Sequence, residues 1–423
     1  MKPSAEGEIL GIMKILTICI LVLSLALLKE TSVNGQDLDS SDASRLPARE
    51  FKRIDIFPAI SHSPETNLTL GAVGFLYFDL ANDDQATPLS NVEYVGVYTL
   101  NQQIILETRW ELFMNQSRWR SRGEAFFNRY PDRNYGMGND AGVLIVEVDD
   151  EGIRDTLNYL NFNSDRIKFS PALLRQIRPN LYFGMQYNLE SLYHLRIIPD
   201  QYYFINADSV RIQSLPVDGV RSGLGFQLLY DTRDHVLNPL KGSLVELSNN
   251  YYHRFLGSDY RFTTVTLHAR QYINTIRNQT LALRSMGAMK FTKDEIPMRA
   301  LSRVGGNKFI RGYFQGTFQD YHLTAFEVEY RLPLWLQPTD AKFWKIWKRL
   351  GLVGFISAAQ VFHEPSDFQI RQFNVAVGGG MRILFNPTSR INLRIDYAIG
   401  LRRGPEAYDK RQSGFYFFLG EAF

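Results

Sequence analysis

Cysteine is almost missing from this sequence. Its 423 residues hold one, Cys19, inside the apolar run from Ile15 to Leu28. A lipoprotein cysteine would stand at the end of such a run behind small residues, and Ile18 does not fit that pattern. With no thiol downstream, a disulfide scaffold and a thiolate metal site are both excluded. Long apolar runs are also scarce. The one at 15–28 has 14 residues, short of the roughly 20 that a spanning helix needs. Mean hydropathy is −0.21, so the chain is no bundle of membrane helices. Nor does one sign of charge dominate. Lys and Arg number 47 against 44 Asp and Glu, net +3, with no long basic cluster, and that excludes a nucleic-acid partner. The histidines at 62, 194, 235, 253, 268, 322 and 363 are scattered without metal-ligand spacing, and no serine sits in a nucleophile elbow. The expectation is therefore no catalytic residue, no metal, no cofactor and no enzyme activity.

Aromatic residues are abundant, at 13%. Lys14 precedes the apolar run and a small polar stretch, Thr31 to Gly35, follows it. This reads as a secretory signal peptide over residues 1–35, cleaved near Gly35–Gln36. Residues 36–50 are polar and read as a short flexible segment. From residue 51 to 423 one pattern repeats, in which 9–15 residues of alternating apolar and polar character end in a turn.

In Ile391-Asn392-Leu393-Arg394-Ile395-Asp396-Tyr397-Ala398-Ile399 every odd position is apolar, and Phe326-Glu327-Val328-Glu329-Tyr330-Arg331-Leu332 alternates likewise. A period of two places the sets on opposite faces of a sheet. Strands of a soluble sandwich run about 5–6 residues, whereas a bilayer demands about 9–11, tilted. Phe, Tyr, Leu and Ile suit a lipid-facing band, and charges such as Arg382, Arg394 and Asp396 would line the interior. An open edge in lipid is forbidden, so the sheet must close. The expected fold is all-β, a 16-stranded antiparallel transmembrane β-barrel, with long loops after strands 5, 7 and 11. Lys342 to Arg349 interleaves aromatics with bases and reads as either a short interfacial helix or a cationic turn.

The motifs sharpen this. Gly414 to Phe423 carries Phe415, Phe417, Leu419 and Phe423, which share one face of an extended strand. Tyr230-Asp231-Thr232-Arg233-Asp234 is followed by Asn238-Pro239-Leu240-Lys241-Gly242; Asp231, Arg233, Pro239 and Gly242 read as a strand-and-turn device. Gly305-Gly306-Asn307-Lys308-Phe309-Ile310-Arg311-Gly312-Tyr313 and the strand at Ala325–Leu334 complete the set. In this order and spacing the motifs over residues 51–423 resemble the BamA/TamA-type outer-membrane assembly family, the bacterial surface antigens. The last segment resembles the C-terminal recognition strand of bacterial outer-membrane proteins, a barrel signal. The resemblance implies a loop between strands 11 and 12 that folds into the barrel and points Arg311 at acidic residues, here Glu329 and its neighbour Glu327. Asn134-Tyr135-Gly136-Met137-Gly138-Asn139 reads as a loop turn.

Two departures stand out. The resemblance implies a strand-13 aspartate and glycine where this chain has Ser357 and Ala359, leaving Glu329 to hold Arg311 alone or more weakly. Residues 36–50 leave no room for a POTRA domain. The expected role is assembly or translocation of outer-membrane proteins, in a bacterial outer membrane, among its lipids and with other outer-membrane or periplasmic proteins as partners. The alternative is an accessory or structural barrel subunit, or a small pore, with no insertase activity of its own.

Overall fold

The computed structural model describes residues 52–63, 67–80, 88–100, 102–139, 145–149, 152–157, 159–198, 202–204, 218–276, 279–294, 296–307, 309–334, 349–386, 390–402, 411–421 and 423. The signal peptide and flexible segment lie outside these residues, as does the stretch at 342–348. In chain order the strands are β1 (Lys52–Ser63), β2 (Asn67–Phe78), β3 (Ser90–Thr99), β4 (Ile104–Met114), β5 (Trp119–Asn134), β6 (Ile145–Asp149), β7 (Gly152–Leu157), β8 (Leu160–Arg178), β9 (Leu181–Ile198), β10 (Tyr202–Phe204), β11 (Gly219–Asp231), β12 (Gly242–Tyr252), β13 (Phe262–Asn274), β14 (Thr280–Thr292), β15 (Ser302–Val304), β16 (Phe318–Asp320), β17 (His322–Pro333), β18 (Leu350–Phe362), β19 (Asn374–Asn386), β20 (Ile391–Gly400) and β21 (Ser413–Leu419).

Sixteen of them form one antiparallel sheet in the order β1-β2-β3-β4-β5-β8-β9-β11-β12-β13-β14-β17-β18-β19-β20-β21. The strand count expected from the alternation is met. The sheet curls into a barrel that brings β1 beside β21. Among the described residues no ladder joins those two strands. β21 is also short, with seven residues against nineteen in β8.

Alternation decides which face points where. On β17, Val328 and Tyr330 are about two-fifths exposed on the outside, while the alternating Glu327, Glu329 and Arg331 are buried. Leu224, Phe226 and Leu228 on β11, and Phe183 and Met185 on β9, continue the outer apolar band. An exposed apolar band around a polar interior is the inverse of a soluble fold and is the surface that lipid covers.

Two features extend the sequence reading. β5 continues to Asn134 because it pairs with β8 over its whole length, from Trp119 opposite Arg175 to Asn134 opposite Leu160. The long connections carry strands of their own, a three-stranded sheet β10-β6-β7 and the small hairpin β15–β16.

Candidate functional site

The segment between β14 and β17 folds into the barrel. Its apolar residues Val304, Phe309, Ile310, Tyr313 and Phe318 are buried against wall residues Ala288, Leu323, Ala325, Ala359, Val361 and Ala376. Small side chains on that wall make the room. Ala359, standing where the resemblance implied a glycine, is itself part of this packed wall. Ile310 adopts φ +45°, a left-handed conformation that costs a β-branched residue on the order of 1–3 kcal/mol and persists only where packing over-determines it.

Arg311 follows and is fully buried. Its guanidinium binds Glu327, Glu329 at 2.8 Å and Asp396 at 2.5 Å, and lies over the Phe355 ring, 3.5 Å from its centroid. Burial works against its charge, but Glu327, Glu329 and Asp396 outweigh that and raise the arginine above its ordinary range. Both expected partners, Glu329 and Glu327, meet Arg311, and the expectation that without the aspartate Glu329 holds it alone or more weakly is corrected by Asp396. Ser357 sits on β18 opposite Glu327, and β20 supplies the further carboxylate through Asp396. Gly380 leaves the space, since a Cβ there would stand 2.1 Å from Asp396 Oδ1.

Gly305, Gly306 and Gly312 all have positive φ. Gly312, at φ +108°, lies so near β20 that a Cβ would meet the Ile399 backbone at 2.7 Å. Its amide donates to the Tyr416 hydroxyl at 3.1 Å. The Tyr313 hydroxyl donates to the Val375 carbonyl at 3.1 Å and accepts from the Arg402 amide at 3.0 Å.

A second tether comes from the end of β5. Asp132 pairs with Arg299 at 2.6 Å and Arg303 at 2.8 Å, and Gly138 N donates to Gln319 O at 2.9 Å. Asn139 accepts from Val361 N at 2.9 Å and donates to Val361 O at 2.7 Å. β19 begins only opposite Ala359, so the Asn139 amide takes the place that a neighbouring strand leaves empty. The 134–139 stretch is thus a turn, and also a clasp on the inward loop.

Gly420, Glu421 and Phe423 belong to a third element. Phe415 is exposed and Phe417 partly so, while the Leu419 side chain lies outside the described residues. Phe423 does not share their face. The chain turns at Gly420, φ +88°, and Phe423 is buried against Tyr272 and Ala282. Period two ends where the strand ends. Arg331 donates to the Phe423 backbone oxygen at 3.0 Å, and Glu421 pairs with Arg382 at 2.8 Å. Arg331 also pairs with Glu329, and Arg382 with Asp396, at 2.8 and 2.6 Å. The tail and the loop arginine are thereby bound to the same carboxylates through two shared arginines.

The strand-and-turn residues occupy the same end as this tail, since Gly242 pairs with Tyr272, on which Phe423 packs. Asp231 accepts from Arg233 Nε and Nη2, both at 2.9 Å, and pairs with Arg120 at 2.7 Å. Pro239 lies in a turn whose Asp234 carboxylate accepts the Leu240 and Lys241 amides at 2.8 and 3.2 Å. Gly242 starts β12 at φ +103°. This turn crosses the mouth of the barrel, because Asn238 donates to Arg390 O at 3.3 Å and Leu237 packs with Val73, Phe75 and Ile391. Among the described residues no cluster of His, Cys, Asp or Glu could hold a metal.

A sixteen-stranded barrel with a buried loop arginine pinned to its inner wall is an outer-membrane architecture. The Omp85 superfamily domain matches residues 98–423, and the chain belongs to that superfamily of outer-membrane β-barrels. Among solved structures it is similar to BamA from Haemophilus ducreyi lacking POTRA domains 1–3, at 15% identity and TM-score 0.53, covering 88% of this chain and 70% of that one. It is also similar to CdiB from Escherichia coli, at 10% identity and TM-score 0.51, covering 87% and 67%. Comparison with curated proteins found no match.

Proposed function

We propose that this barrel takes part in the assembly or translocation of outer-membrane proteins, together with partner proteins, after export by its signal peptide, and without catalytic chemistry of its own. The observation that carries the reading is the seam. β1 and β21 lie side by side without a ladder among the described residues, and an unpaired strand edge is a template for another strand. The superfamily and the likeness to BamA and CdiB support it. The test places a photocrosslinking side chain at Ile56 on β1 in living cells. Adducts with other outer-membrane barrels are expected; their absence, with unchanged barrel levels after gene deletion, would reject the role.

A second reading, an accessory subunit of an outer-membrane complex, is favoured by the interior. Loop, clasp and tail fill it with buried side chains, which argues against a pore. Co-purification of a stable complex, with unaltered barrel levels on deletion, would select it.

A further inference from the structure

The outer wall changes character at the short-turn end, between β5 and β8. Along the outer face of β8, Ile167, Phe169 and Leu173 are exposed and apolar. Next come Arg175, Ile177 and Arg178, all exposed. Trp119 opens β5 directly opposite Arg175 and is 37% exposed, with the Arg175 guanidinium 5.8 Å from its ring centroid. Arg118, also exposed, is fastened alongside, since its carbonyl accepts the Gln176 amide at 2.8 Å.

The three arginines differ from the cations inside the barrel. Arg120, one step along β5, is buried and locked to Glu111 and Asp231. Among the described residues no carboxylate pairs with Arg118, Arg175 or Arg178. Three guanidinium groups with no carboxylate partner among the described residues thus stand where the apolar band stops, beside an indole. Depth in a bilayer follows that order, with acyl chains against Phe169 and Leu173 and headgroups against the arginines and Trp119. Arginine presents planar donors suited to phosphate oxygens.

We infer that Arg118, Arg175 and Arg178, with Trp119 as platform, bind the phosphate of an anionic glycerophospholipid in the leaflet at the short-turn end. A net negative headgroup matches the charge here; a zwitterionic one brings its own ammonium and gains less.

The experiment titrates detergent-purified full-length protein with phosphatidylglycerol or phosphatidylethanolamine and counts retained lipid by native mass spectrometry. Phosphatidylglycerol is expected to be retained preferentially. Each arginine-to-glutamine change should weaken retention about fivefold, from the worth of a basic residue at an anionic surface. Arg118→Gln/Arg175→Gln/Arg178→Gln should abolish the preference, while Arg254→Gln/Arg261→Gln, at the other end of the barrel, should leave it intact. Arg175→Gln alone serves if the triple variant does not fold. Equal retention of both lipids, retention untouched by the Arg175 change, or equal loss in the Arg254/Arg261 variant would overturn the inference.

Discussion

Arg311 shows how much one buried charge can organise. Three carboxylates from β17 and β20 converge on it, so removing it leaves buried Glu327 with Arg284 at 3.9 Å and leaves Glu329 and Asp396 to Arg331, Arg382 and Arg394. Arg311→Ala is expected to cost about 3–5 kcal/mol, the usual penalty for breaking a buried ionic cluster from one side, read by denaturant titration of the folded barrel. Ser357→Asp tests the opposite change. The new carboxylate would face Glu327 across the β17–β18 ladder, where like charges repel. It should destabilise the barrel in the same titration, although it installs the aspartate that the family resemblance implied. His235 provides a pH readout. Its Nδ1 accepts the Leu237 and Asn238 amides, both at 3.2 Å. Burial first, then Arg390, pushes its pKa from 6.5 down to about 4, against the pull of Asp234. Between those values the unfolded chain holds the extra proton, so stability should fall as pH drops from about 6.5 to about 4 and stay level above. His235→Asn, an acceptor that does not titrate, should flatten that slope in a stability–pH series.

Elements were legible in the sequence to the extent that alternation reports them. Barrel strands such as Ile391–Gly400 were found within a residue or two, because one face meets lipid and the other does not. The polar face of β20 was visible, yet the meeting of Asp396 with Arg311, 85 residues earlier, was not. Which strands stand opposite a loop across a lumen leaves no mark in local pattern. Asn139 was hidden for a related reason, since its role depends on where β19 begins. Asn139→Ala should expose the edge of β18, so that amide exchange at Gln360–Phe362 accelerates while exchange in β8 and β9 does not change. Phe423 leaves the face that period two assigns it, because the strand ends before the turn at Gly420.

At the scale of the whole molecule, strength is unevenly distributed around the ring. β8 runs for nineteen residues with a ladder on each side, β21 for seven with a ladder to β20, and the β1–β21 seam has no ladder among the described residues. Hydrogen exchange should therefore be fastest in β1 and β21 and slowest in β8 and β9. Uniform protection around the barrel would contradict this view of the seam. A filled interior should pass little ion current in a planar bilayer, and Arg311→Ala should add conductance steps by freeing the loop.

The inward tail has a kinematic consequence. Beyond Gly420, Glu421 and Phe423 are fixed to Arg382 and Arg331, while no ladder joins β21 to β1 among the described residues. Sliding of the last strand along β20 is blocked at its end, and swinging sideways away from β1 is not. The strand behaves as a leaf hinged at its sill, able to part from its neighbour and return without slipping a residue.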